Sequence, residues 1–145
     1  MNNPKLIIFE GMDRTGKTTL MKKVWELRGR VDCCVDRYIV SNIAYNAYFN
    51  RQINSIDYLA FLPDISDVII VYVEATYTDY KQRAISTEGS YMSYDEWCAQ
   101  LKAFESTIAD VRKNWLKNGR IIAINNHNGI NIDVLAQIVV NEIGD

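Results

Sequence analysis

Gly11-Met12-Asp13-Arg14-Thr15-Gly16-Lys17-Thr18 fills every fixed position of the pattern G-x-x-x-x-G-K-[ST]. That spacing suits one kind of chemistry, the binding of a polyphosphate. The glycines let the backbone curl until successive N–H groups point at one anion. A helix opening behind them adds the positive end of its dipole. In this role Lys17 bridges the β- and γ-phosphates, and the Thr18 hydroxyl is a ligand for Mg²⁺. The candidate nucleotide-binding residues are Gly11, Met12, Asp13, Arg14, Thr15, Gly16, Lys17, Thr18 and Thr19.

Such a loop needs a strand before it and a helix after it. Lys5 to Glu10 is a short, unalternating apolar run that reads as a strand buried on both faces. From Gly16 through Arg28 the spacing of Leu20, Val24 and Leu27 is helical, and Gly29 ends it. Val31 to Val35 reads as a second buried strand, with Cys33 and Cys34 acting as small hydrophobes. Ser41 to Phe49 is helical, with Ser41 as N-cap and Ile43, Ala47 and Tyr48 facing inward. A short helix is expected from near Ser55 to Pro63.

Val68 to Val73 is the strongest strand, followed by a helix around Asp79 to Ile85. Ser93 and Glu96 have capping-box spacing. The helix they open carries Trp97, Leu101, Phe104, Ile108, Val111 and Trp115 on one stripe, and Gly119 closes it. Ile121 to Ile124 is a fourth strand, and Ile132 to Ile143 a last amphipathic helix. The alternation predicts a single α/β domain over residues 1–145. Its mostly parallel sheet, of about four strands, is flanked by helices.

Composition removes several functions. A net charge of −2 gives no global positive field to hold long nucleic acid. The three cysteines have no Cys-x-x-Cys spacing and His127 is the only histidine, which excludes a Cys/His zinc cage and suits a reducing compartment. No apolar run approaches the roughly 18 residues that span a bilayer, and Met1-Asn2-Asn3-Pro4 is no signal-peptide start. The expectation is a soluble cytoplasmic protein. Asn125-Asn126-His127-Asn128 lacks the lysine and aspartate of a guanine-reading Asn-Lys-x-Asp, which argues against a regulatory GTPase.

Phe9 to Thr19 resembles the first motif of thymidylate kinases. Asp36-Arg37-Tyr38-Ile39-Val40-Ser41-Asn42-Ile43-Ala44-Tyr45 is similar to that family's Asp-Arg-Tyr-x-x-Ser-x-x-Ala-Tyr segment. Pro63-Asp64 before the Val68 strand, with Arg83 in the next helix, is a weaker third match. The resemblance implies a three-layer P-loop fold and transfer of the ATP γ-phosphoryl group to a deoxynucleoside monophosphate, with dTMP the leading acceptor. It also implies a homodimer.

By the same resemblance, Arg14 supports the transferred phosphoryl group, in agreement with the absence of arginine between Ala84 and Val111. Asp13 would touch the acceptor sugar, Asp36 would order Mg²⁺ through water, and Arg37 would hold the acceptor phosphate. Tyr45 would lie near the acceptor sugar or base, and Arg83 on the adenine face. Glu88, Ser90 and Ser93 fall in the expected lid around Gly89, and Asn125–Asn128 in a loop expected near adenine.

The chain departs from the family in lacking a strand and a helix between the loop helix and the Asp-Arg-Tyr strand. No spacing argument puts Arg51 or Gln52 on a base. A deoxynucleoside kinase and a nucleotide-binding module without an acceptor site are therefore the alternatives. No strand-end carboxylate base is evident, which favours an acceptor that is already an anion.

Overall fold

The computed structural model of the protein describes residues 3–50, 68–116 and 119–144. The expected Ser55–Pro63 helix, Pro63-Asp64, Arg51, Gln52 and the side chain of Trp115 lie outside the described residues.

Four strands, β1 (Leu6–Glu10), β2 (Cys33–Asp36), β3 (Val68–Glu74) and β4 (Arg120–Asn125), form one parallel sheet in the order β2-β1-β3-β4. Five α-helices flank it among the described residues: α1 (Lys17–Leu27), α2 (Ile39–Tyr48), α3 (Tyr77–Glu88), α4 (Tyr94–Asp110) and α5 (Ile132–Ile143). A π-helical turn, Val111–Trp115, extends α4.

Period-two alternation divides the core into two layers. Ile7 and Phe9 of β1, with Ile69, Val71 and Val73 of β3, pack against Leu20 and Val24 of α1 and Leu135, Ala136 and Val139 of α5. Ile8, Val68, Ile70 and Tyr72 face the opposite way, onto α2, α3 and the α4 stripe of Trp97, Phe104 and Ile108. Burial on both faces explains why β1 and β3 are continuous apolar runs. The chain runs from β1 to β2 on one side and then crosses to β3 on the other side of β1, so the order reverses at β1. In open parallel sheets ligands bind at such a point, beyond the carboxyl ends of the strands.

Two expectations fail at β2 and α2. The second strand spans Cys33–Asp36, with Val31 exposed ahead of it, Cys33 exposed and Cys34 only half-buried. It is an edge strand, so its cysteines are not core residues. Helix α2 begins at Ile39, which makes Ser41 its third residue instead of its N-cap. The face it buries carries Ile39, Val40 and Ala44, while Ala47 is exposed. At α4, Ser93 Oγ accepts from the Glu96 N–H as expected. A complete capping box opens α3 instead, between Thr76 and Asp79.

Candidate active site

The loop from Gly11 to Gly16 leaves β1 and enters α1, as its motif requires. Its two glycines are fixed by what lies beside them. A Cβ on Gly11 would sit 2.3 Å from the Val73 carbonyl oxygen of β3, and one on Gly16 would sit 2.4 Å from Asn126 Nδ2. Both also have positive φ, 148° and 79°. Thr15 closes the loop through a hydrogen bond from Oγ1 to the Met12 carbonyl, and Asn126 Nδ2 donates to the Thr15 carbonyl. The Met12 side chain is buried in the core, so its contribution to a nucleotide would be backbone alone.

Residues 13–19 line a cavity of about 500 Å³ together with Arg37, Arg83, Thr87 and Glu88. Of the four cations that line it, three sit on a carboxylate. Lys17 Nζ lies 3.1 Å from Asp36, Arg37 is paired with Asp13, and Arg14 with Glu88. The Thr18 hydroxyl donates to Asp36 at 3.1 Å. Thr18 and Asp36 thus put hard oxygen ligands together beside Lys17, a donor set that fits Mg²⁺. Arg14 and Arg37 both hold left-handed backbone, with φ of 62° and 64°. Arginine in that region is strained, and strain of this kind gathers where a side chain must be aimed.

The structure brings Asp13, Arg14, Lys17, Thr18, Asp36 and Arg37 into one place, as the sequence predicts. Tyr45 lies under Arg37, whose guanidinium carbon is 5.5 Å from the ring centroid. Burial pushes the Tyr45 hydroxyl up to about 12, against the lowering effect of Arg37. Among the described residues, its oxygen and Arg37 Nε are buried polar atoms without a hydrogen-bond partner.

Glu10 is a buried carboxylate beside the site that sequence reasoning passed over. It is fully buried at the end of β1, and its carboxylate accepts from the Tyr38 N–H, the Ser41 N–H at 2.7 Å and the Ser41 hydroxyl at 2.6 Å. Burial raises its pKa, and these donors with Arg37 oppose the rise. Its place inside an apolar strand hid it. Glu74, at the end of β3, is likewise raised, by burial and by Glu105.

On the other flank Arg83 joins three segments. It donates to the Arg14 carbonyl and the Asn126 carbonyl, both at 2.8 Å, and to Asn128 Oδ1 at 3.0 Å. A second cavity of about 250 Å³ opens here, sharing Gly16, Thr19 and Arg83 with the first and bounded by residues 126–130 and Ile132. His127 is locally bonded, with Nδ1 3.3 Å from Asp79. In the expected lid, Glu88 faces the phosphate cavity but Ser90 and Ser93 do not line it. Met92 is pinned to α3, its N–H donating to the Tyr80 hydroxyl and its carbonyl accepting from the Tyr77 hydroxyl.

A parallel sheet reversing at β1, with a G-x-x-x-x-G-K-T loop between β1 and α1, is a P-loop α/β fold, similar in its arrangement to solved structures that include a thymidylate kinase. Among solved structures, the YorR protein of Bacillus subtilis, determined in complex with phosphorylated GDP, superimposes with a TM-score of 0.73. It is 17% identical over 96% of this chain and 95% of its own. Thymidylate kinase from Candida albicans superimposes with a TM-score of 0.60 at 18% identity, over 97% of this chain and 91% of its own. At these identities the likeness is one of fold. No protein-family model and no curated protein sequence matches the chain.

Proposed function

We propose that the protein transfers the γ-phosphoryl group of ATP to a nucleoside monophosphate, with dTMP as the leading acceptor. One observation carries this reading. The cavity that holds Lys17 is also lined by a second, half-buried cation, Arg37, whose guanidinium lies over the Tyr45 ring. The loop serves a donor polyphosphate, and that arginine serves a second anion. The second cavity, bounded by Arg83 and residues 126–130, is in line to take the donor base. The likeness to thymidylate kinase and to YorR supports the reaction class.

The chemistry is an in-line displacement. An oxygen of the acceptor phosphate attacks the γ-phosphorus, the bond to the β,γ-bridging oxygen breaks, and ADP leaves with the electron pair. The acceptor is already an anion, so no proton need be removed from it. Charge gathers on the phosphoryl oxygens, and Lys17, Arg14 and the loop N–H groups offset it in a site arranged beforehand. Mg²⁺, when bound by Thr18 and through Asp36, would neutralise part of the polyphosphate charge. Asp13 and Arg37 orient the acceptor. Catalysis is positioning and electrostatics, with no covalent enzyme intermediate.

The test is transfer from ATP–Mg²⁺ to a panel of nucleoside monophosphates and nucleosides, with new product identified by mass. A diphosphate from dTMP or another monophosphate supports the reading and names the acceptor. A monophosphate made from a nucleoside moves the enzyme to nucleoside kinases, and ATP binding without product makes it a nucleotide-binding module. Lys17→Ala is expected to abolish transfer, a loss of about a thousandfold or more, while circular dichroism stays unchanged.

A further inference from the structure

We infer that Glu10 is the positioning residue for Arg37, coupling the start of the phosphate loop to the guanidinium that receives the acceptor anion. The inference rests on the kinase reading for what Arg37 binds, and on the geometry alone for how Arg37 is held.

Consecutive residues of β1 hold consecutive residues of the turn after β2. The Arg37 N–H donates to the Phe9 carbonyl at 2.9 Å, which continues the strand ladder by one step. The next N–H, that of Tyr38, donates to the Glu10 carboxylate instead of to a backbone carbonyl. The same carboxylate takes the N–H and the hydroxyl of Ser41, the third residue of α2.

Glu10 therefore acts as the cap of α2 from another element. Tyr38, at the N-cap position, makes no side-chain cap of its own. Without that carboxylate, the first N–H groups of the helix would be short of acceptors, and its dipole would lack a compensating anion.

The consequence falls on Arg37. A non-glycine residue at φ 64° stays there only where its neighbours are fixed on both sides. The ladder bond fixes one side and Glu10 fixes the other. Held so, the Arg37 side chain lies over the Tyr45 ring, reaches Asp13, and keeps Nε buried. Because Gly11 follows Glu10 directly, the donor loop and the acceptor arginine take their positions from one stretch of β1.

Glu10→Gln keeps the shape but removes the charge and sets an amide NH₂ against the donor groups. Its KM for the acceptor monophosphate is expected to rise about tenfold while KM for ATP stays within about twofold. Ser41→Ala, which leaves β1 untouched and is the safer variant for folding, is expected to shift the acceptor KM the same way by a smaller factor.

The readout independent of activity is the Arg37 Nε–H resonance in the unliganded protein. In the wild type it should exchange slowly with water, and in Glu10→Gln at least about tenfold faster. Equal rises in both KM values, or unchanged Nε–H exchange in a folded Glu10→Gln protein, overturn the inference. Faster exchange in Glu10→Gln, alongside a wild type that phosphorylates no monophosphate, refutes the kinase reading and leaves the positioning role standing.

Discussion

Three of the four cations that line the cavity, Lys17, Arg14 and Arg37, are already on carboxylates, and the pairs differ in what they release. Lys17 is buried against Asp36, whereas Arg14 and Glu88 are 33% and 57% exposed. Exposed pairs contribute little, about 0–1 kcal/mol, so a phosphate dianion can take Arg14 from Glu88 at small cost. On the proposed reaction, Arg14 is thus free to follow the charge that would develop during transfer. Arg14→Ala is expected to lower kcat about a thousandfold with little change in ATP affinity, measured by steady-state kinetics beside direct nucleotide binding. Full turnover in that variant would put the transition-state cation elsewhere. These residues were legible because the motif spacing names them. Glu10 was not, and for Glu88 and Asn126 the sequence suggested only a lid and a loop, because the contacts of the three span 31, 74 and 111 residues and no local pattern encodes such a pairing.

At the scale of elements, the segment after β4 is held in place by the start of α3. Asp79, with its side chain 10% exposed, closes the capping box with Thr76 and also receives the Asn128 N–H at 3.0 Å. Burial alone would raise its pKa. Hydrogen bonds from the Asn128 N–H, from the Thr76 hydroxyl and N–H, and from His127 outweigh burial and hold it at about 2. A carboxylate depressed in the folded state contributes stability that is present above its unfolded pKa and is lost as pH falls through the folded one. Asp79 should therefore contribute about 2 kcal/mol above about pH 5, lost between about pH 4 and pH 2. Urea unfolding across that range should show the slope, and Asp79→Asn should flatten it. An identical slope in the variant would mean other carboxylates carry the acid sensitivity. Because Asn126 and Asn128 reach Thr15 and Arg83, the variant should also weaken ATP binding. The strands β1, β3 and β4 and the stripe of α4 were readable, since burial on both faces or at helical spacing leaves its own periodicity. The limits of α2 were not, because the group that caps it comes from β1 and leaves no signal at Tyr38.

The whole molecule is closed on the side of the sheet away from the site's strand ends. Arg28, one residue beyond α1, is 1% exposed and forms a two-bond pair with Asp32 ahead of β2, at 2.5 and 3.2 Å. Two further N–H groups donate to the Asn3 and Gly144 carbonyls, while Asp32 accepts from the Lys5 N–H at 2.9 Å. One ion pair thus ties the entry to β1, the exit of α1, the entry to β2 and the end of α5. Replacing such a pair as a unit can be nearly neutral, but removing one partner leaves a buried charge alone. Arg28→Met is expected to lower unfolding free energy by about 3–5 kcal/mol, with the urea m-value unchanged. Asp32→Asn should cost less, because the arginine keeps its two carbonyls and the Lys5 N–H keeps an oxygen to donate to. Both variants, if still folded at low temperature, should retain the wild-type KM for ATP, since the clamp and the phosphate loop sit at opposite ends of β1. A loss under about 1 kcal/mol in Arg28→Met would show that water or chain relaxation satisfies Asp32, and that the termini are held by α5 packing alone.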